Sequence, residues 1–250
     1  MSRPQNLSEL VLSEILSGKV NSYTDLVDKL KVREYFAQFG LSRYLPEIYG
    51  RWANVEAIDW ENLPNRFVLK TNHGSGNHVI CWDKAAMKKE DALRQLEFEY
   101  DSRLGPMEPQ YAGIERMCYA EELIEDTRGG GRPIDYKFMT SGGEVRAILV
   151  CAERDKGTKL ALFSPTWEQL PGIKPHKLSQ REYLPPPKLE EMLQVAQSIA
   201  KRFTQVRVDM YCLPDGRVLL GELTFTPEGG YMRYFTTSAL RDLGLPEGIE

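Results

Sequence analysis

The sequence predicts an α+β protein of two lobes behind a short, mostly helical N-terminal lead-in. Three observations carry that prediction. Helical periodicity is confined to separated segments, at 7–17, 23–39, 87–104 and 188–203. Between them lie short runs in which apolar and polar residues alternate, the pattern of half-buried strands. The turns joining neighbouring runs, Gly142-Gly143 and Pro214-Asp215-Gly216, are hairpin turns, so that part of the sheet is antiparallel.

Residues 7–17 (LSELVLSEILS) carry a short amphipathic pattern. Residues 23–39 read as one helix. Ser22 with Asp25 three residues on has the form of a capping box, Leu26, Leu30 and Tyr35 supply the apolar stripe, and Gly40 stops it. Pro46 and Pro64 bracket an aromatic-rich connection containing Tyr49, Trp52 and Trp60. FVLK (67–70) and HVICW (78–82) read as strands around a glycine-containing turn, and 87–104 as a charged helix with Leu93, Leu96 and Tyr100 on one side. CYAEELI (118–124) is a further strand that runs toward GGGRP (129–133), which places a hinge near 122–133. IDYKFMT (134–140), EVRAILVCAE (144–153) and TKLALFS (158–164) alternate like neighbours in one antiparallel sheet. After the prolines at 185–187 come the helix at 188–203 and a last hairpin, VRVDMYC (206–212) with RVLLGELTF (217–225). The expected division is a helical lead-in over 1–66, a first lobe over 67–125 and a second over 126–250.

Composition narrows the function. Hydrophobic residues at 42% and charged residues at 27% suit an ordinary globular protein, and 32 basic against 36 acidic residues give −4. That balance gives no general attraction to nucleic acid or anionic membrane. The longest apolar runs, such as 147–152, are too short to span a bilayer, and Glu9 and Glu14 interrupt the first segment, which therefore does not read as a signal peptide. Cys81, Cys118, Cys151 and Cys212 are widely spaced with no C-x-x-C pair. Two disulfides can be drawn, but buried free thiols in a reducing compartment fit the spacing better, and the cytoplasm is the expected location.

Four features carry chemistry. In FVLKTNHGSGN (67–77), Lys70 ends a strand before Gly74, Ser75 and Gly76; fixed positive charge beside unobstructed backbone N–H groups suits phosphates, although no G-K-[ST] follows and a plain β-turn has the same form. Asp209 and Glu222 lie on strands joined by a tight hairpin, and with a one-residue register offset they fall opposite each other. Hard oxygens so paired suit Mg²⁺ held with ATP phosphates, and Thr224 faces the same side; carboxylates on a solvated sheet face are the alternative. AEELIED (120–126) can offer backbone groups to an adenine and a carboxylate to a ribose, or be a strand end with solvated acids. Lys137, Arg146, Arg154 and Arg207 sit within or beside strands and each needs an anion, either a ligand or a structural partner such as Asp135 or Asp209. Three histidines without H-x-x-x-H spacing give no zinc site, Ser75 lies outside a G-x-S-x-G elbow, and basic residues do not interleave with aromatics as on a nucleic-acid platform.

Taken in order, FVLKTNHGSGN, YAEELI, DYKFMTSGGEV and VRVDMYCLPDGRVLLGELTFTPEGG, with the upstream VREYFAQFGLSRYLPEIYG (32–50) and ENLPNRF (61–67), resemble the TupA-like branch of the ATP-grasp superfamily. The resemblance covers roughly residues 30–245, nearly the whole chain. It implies an ATP-grasp fold whose two lobes grip the nucleotide. It further implies Lys70 on the phosphates, Gly74, Ser75 and Gly76 as the loop over them, and Glu121, Glu122, Leu123 and Ile124 around the adenine, with Glu122 or Glu125 at the ribose. By the same resemblance Lys137, and more weakly Arg154 and Arg207, face the transferred phosphate or the substrate, and Asp209, Glu222 and Thr224 hold magnesium. Threonine stands at 224 where most ATP-grasp enzymes have asparagine. The activity implied is an ATP- and Mg²⁺-dependent ligase that joins a small-molecule carboxylate, such as a sugar acid or amino acid, to an amine in polysaccharide, cell-envelope or natural-product tailoring. A kinase acting on a hydroxyl and a non-catalytic nucleotide-binding module are the rivals.

Overall fold

A computed structural model describes residues 3–73, 78–102, 105–126, 133–152 and 157–244. The described residues fall into two compact units, one drawn from 1–20 with 125–250 and the other from 21–124. The lead-in expected over 1–66 is thus shared between the two.

The unit from 21–124 is built on a four-stranded antiparallel sheet in the order β1-β4-β2-β3. Its strands are β1 (Ile48–Trp52), β2 (Phe67–Thr71), β3 (Val79–Cys81) and β4 (Cys118–Glu121). Phe67, Leu69, Val79, Cys81, Cys118 and Ala120 alternate onto one face and form a core with Leu96 and Ala92 of the helix Lys89–Tyr100 and with Trp60 and Leu63. Strand β1 falls in the aromatic-rich connection. Its Gly50 admits the Trp52 ring, which passes 2.3 Å from where a Cβ at 50 would stand.

The single helix expected over 23–39 is two, α2 (Thr24–Val27) and α3 (Val32–Gln38). The break is at Asp28, whose backbone is extended at ψ 114°. Its buried carboxylate accepts from the N–H groups of Leu30 and Lys31 at 2.8 and 3.2 Å. Local side-chain bonding of this kind offers the backbone an alternative to the helix. The capping-box reading of Ser22 is not realised, because the helix has no side-chain cap. The charged helix, α4 (Lys89–Tyr100), is shorter than expected at both ends.

The other unit carries a six-stranded antiparallel sheet in the order β10-β9-β5-β6-β7-β8. The strands are β5 (Asp135–Ser141), β6 (Glu144–Ala152), β7 (Lys159–Phe163), β8 (Gln169–Leu170), β9 (Gln205–Cys212) and β10 (Val218–Thr224). One face, with Met139, Ala147, Leu149, Cys151, Leu160 and Leu162, packs on α1 (Leu7–Leu16) and α6 (Thr237–Asp242). The alternate residues, Phe138, Ile148, Val150, Val208 and Met210, point to the opposite face, which α5 (Leu189–Ala200) covers with Met192, Val195 and Ile199. Asn6 caps α1, as its Oδ1 accepts from Glu9 N at 3.0 Å. Helix α1 lies on the turn Pro227–Gly230, where a Cβ at Gly230 would stand 3.1 Å from Leu12; Glu228, Gly229 and Gly230 all take positive φ there. All four cysteines are buried and free, as their spacing suggested. Among the described residues no helix is long and apolar enough to cross a membrane.

Candidate functional site

In the larger unit the site grows from strand alternation. Lys137 of β5 stands opposite Asp209 of β9, and Met139 opposite Arg207. Across β9–β10, Asp209 is opposite Glu222 and Arg207 opposite Thr224. Period-two alternation therefore delivers Asp135, Lys137, Arg207, Asp209, Glu222 and Thr224 to the face that carries the α1 core. The offset that brings Glu222 onto Asp209 is a bulge between Leu220 and Glu222.

Asp209 is 2% exposed, so its charge requires compensation. Arg207 supplies it through a fork: Nε donates to Oδ1 and Nη2 to Oδ2, each at 2.7 Å. Lys137 Nζ donates to Oδ2 as well, and pairs with Asp135 Oδ2 at 2.7 Å. Arg207 Nη2 also reaches Glu222 Oε1 at 3.3 Å and Thr224 Oγ1 at 3.0 Å. The result is a chain of alternating charge, Asp135–Lys137–Asp209–Arg207–Glu222. Burial works against the charge of Asp209, but Arg207 and Lys137 outweigh it and hold the carboxyl below its ordinary value. Burial likewise works against Lys137 and Arg207, and the carboxylates reverse it, keeping both protonated. Burial pushes the neighbouring Cys151 thiol up to about 12.

These residues suit the group the fold family implies. Mg²⁺ takes one or two carboxylates together with substrate phosphates and water, and Asp209 with Glu222 offers two hard carboxylates on one face. Among the described residues no cluster of three or more His, Cys, Asp or Glu forms a metal site by itself. Asp209 is buried rather than on a solvated face, and the Glu222 side chain is 35% exposed and open to a ligand.

In the smaller unit Lys70 lies near the end of β2, opposite Tyr119 of β4. Its ammonium donates to Glu121, which closes β4 and is buried. Glu121 thus turns its carboxylate to Lys70. Beyond it, Glu122 N donates to Glu47 O at 2.9 Å, so that N–H is already used; Leu123 and Ile124 are half-buried, Glu125 is exposed, and the chain passes between the units at 124–125. Gly74, Ser75, Gly76 and Arg154 lie outside the described residues. Arg146 pairs with Glu144 at 3.3 Å, a structural partner.

Sequence reasoning missed several contributors. Asn72, 1% exposed, donates to Asp28 Oδ2 and Glu115 O at 2.9 Å and accepts from Met117 N at 2.8 Å, tying the end of β2 to α2–α3 and to the lead-in of β4. His73 is buried beside it, with Nε2 3.1 Å from Tyr100 O; burial, helped by Arg116, lowers its pKa below 6.5. Tyr234 is buried near enough to Arg207 and Lys137 to feel their charge, and burial raises its hydroxyl above its ordinary value. Long-range partners of this kind leave no local pattern. The N-H pair in the motif was the available signal.

The family model described as TupA-like ATPgrasp matches residues 5–246. The chain therefore belongs to the TupA-like family of the ATP-grasp superfamily, and its α+β architecture is an ATP-grasp fold. No curated protein matches the sequence. Solved structures similar to it include an L-amino acid ligase from Bacillus licheniformis, at 16% identity over 84% of this chain and 45% of that one, with a TM-score of 0.49. Another is the biotin carboxylase domain of Hydrogenobacter thermophilus 2-oxoglutarate carboxylase with MgADP, at 19% identity over 80% and 40%, TM-score 0.49. A third is N5-carboxyaminoimidazole synthase from Aspergillus clavatus with ADP, at 14% identity over 80% and 44%, TM-score 0.43. The chain spans less than half the length of each of these three.

Proposed function

We propose that the protein is an ATP- and Mg²⁺-dependent ligase that joins a carboxylate to an amine. The observation that carries the reading is the Asp209–Glu222 pair across the bulged hairpin, flanked on the same face by Lys137 and Arg207. Family membership supports the use of ATP. Mg²⁺ at Asp209 and Glu222, with Thr224 beside them, would neutralise charge on the nucleotide phosphates. The family resemblance would assign Lys70 to the nucleotide phosphates and residues 121–125 to the adenosine. Lys137 and Arg207 hold positive charge where the migrating phosphoryl group develops negative charge. The acid's carboxylate oxygen bonds to the γ-phosphorus as the bond to ADP breaks. The amine nitrogen then bonds to the acyl carbon, phosphate leaves, and the nitrogen loses a proton. The chain supplies charge and position, and no side chain has to act as nucleophile.

The test is an ATP-hydrolysis screen over paired acids and amines, beginning with sugar acids and amino acids. The expected result is phosphate release that requires both partners, with added hydroxylamine converted to a hydroxamate. Stable phosphate on a single hydroxyl acceptor would make the protein a kinase instead. Full activity in Asp209→Asn and Glu222→Gln would remove the metal site on which the reading rests.

A further inference from the structure

Arg207 is placed where it does more than neutralise one acid. Its Nη2 lies 2.7 Å from Asp209 Oδ2, 3.3 Å from Glu222 Oε1 and 3.0 Å from Thr224 Oγ1, while Nε takes Asp209 Oδ1 at 2.7 Å. The guanidinium therefore engages all three side chains that the proposed site assigns to the metal. We infer that Arg207 is an internal counter-cation that holds these ligands together in the metal-free protein and must be displaced for the metal to bind, which makes metal binding depend on nucleotide. The inference rests on the metal-site reading above.

The argument is steric and electrostatic. A magnesium ion sits about 2.0–2.1 Å from its oxygens, and those oxygens already point at Arg207. Two cations cannot share the same lone pairs at that range without strong repulsion. The guanidinium cannot simply be abandoned, because its side chain is 11% exposed and a buried charge needs a partner. Lys137 remains on Asp209 and Asp135, so it can keep Asp209 compensated during the exchange. A triphosphate gives the displaced Arg207 a new anion, in the bidentate geometry guanidinium prefers. Metal without nucleotide offers no such partner. Each ligand then raises the affinity for the other, and the coupling is reciprocal.

The test measures binding, with Mn²⁺ as the probe: free Mn²⁺ by electron paramagnetic resonance, with and without ADP. Wild type is expected to take up Mn²⁺ weakly alone and strongly with ADP. Arg207→Gln is expected to bind Mn²⁺ alone about tenfold more tightly than wild type, and the enhancement by ADP to shrink by the same factor. Arg146→Gln, which removes a cation from the same sheet but away from the ligands, should change neither. A purely structural Arg207 would not produce a gain in metal affinity. Should Arg207→Gln fold poorly, Arg207→Lys keeps the charge but cannot span all three ligands, and the same gain, smaller in size, is expected. The inference is overturned if wild type binds Mn²⁺ with ADP while neither variant binds Mn²⁺ alone better than wild type. It falls together with the metal-site reading if wild type binds no Mn²⁺ even with ADP, so the two failures are distinct.

Discussion

Asp209 and Glu222 face each other across the β9–β10 hairpin because β10 carries one residue more than β9 between Leu220 and Glu222. Leu220 pairs with Met210, and with unbroken pairing Gly221 would oppose Asp209 and Glu222 would oppose Val208, whose side chain points into the core beneath α5. A one-residue slip exchanges the faces of a strand. The bulge at Gly221 therefore decides whether the second carboxylate meets the first or is buried among apolar side chains.

Gly221 is thus a sensitive position. A Cβ there would stand 3.2 Å from Asp209 O and 3.2 Å from the Tyr211 ring, tighter than ordinary packing. Gly221→Val is expected to cost about 1–3 kcal/mol of stability by urea denaturation, and to weaken MgATP binding further by moving Glu222. A variant that kept both stability and nucleotide affinity would show that the bulge does not present Glu222.

The buried charge chain predicts an acid-side pH dependence. The folded Asp209 carboxyl lies below its ordinary value of 3.8. Its contribution is therefore present above 3.8 and is lost as pH falls through the lower, folded value. Asp209→Asn leaves Arg207 and Lys137 without their shared anion and should cost about 3–5 kcal/mol near neutrality. The gap between wild type and variant should narrow as pH falls below 3.8. Urea midpoints across that range test it, and a gap that stays constant would count against the chain.

Much of this was legible in the sequence because the signals were local. The hairpin turn at 214–216 and the spacing of Asp209 and Glu222 showed that a one-residue offset would set them opposite each other, and alternation marked IDYKFMT and VRVDMYC as strands. The rest depends on long-range contacts. Helix 23–39 breaks at Asp28, whose Oδ1 takes the Leu30 and Lys31 N–H groups while Asn72, 44 residues away, holds its Oδ2. Strand β1 is set by the pairing of Ile48–Trp52 with Cys118–Glu121; Ile48, Tyr49 and Trp52 suit a strand, but the glycine at its centre weakens the local signal. Strand β8 has two residues and α6 six, too short for periodicity to register.

Asn72 is predicted to be a fold determinant of the smaller unit. Asn72→Leu conserves volume but leaves the carboxylate of Asp28 and the Met117 N–H without the partner they now have. Each buried polar group so stranded costs about 1–3 kcal/mol. A lowered urea midpoint is expected, with Asp28→Asn milder because it preserves a hydrogen bond. Equal midpoints for Asn72→Leu and wild type would mean that the unit does not depend on this node.

Lys70 ties the fold to the proposed site. Its ammonium, on a side chain 29% exposed, pairs with Glu121, and the pair links the ends of two adjacent strands already joined by backbone bonds. Glu121 is buried, so Lys70→Met, which keeps the apolar stem, leaves that carboxylate without the ammonium and should cost about 1–3 kcal/mol of stability by urea denaturation. The cost should exceed that of Glu121→Gln, which leaves only the accessible ammonium behind. If Lys70 serves the nucleotide phosphates, the same change removes a charge placed where negative charge develops, and kcat/KM for ATP should fall about 100-fold. Glu121→Gln frees the ammonium without removing it, so nucleotide affinity should survive in that variant. Calorimetry of ADP binding gives the comparison without depending on a known acceptor. Unchanged affinity in Lys70→Met, or equal losses in both variants, would assign the pair a structural role and send the search for the phosphate-binding cation elsewhere.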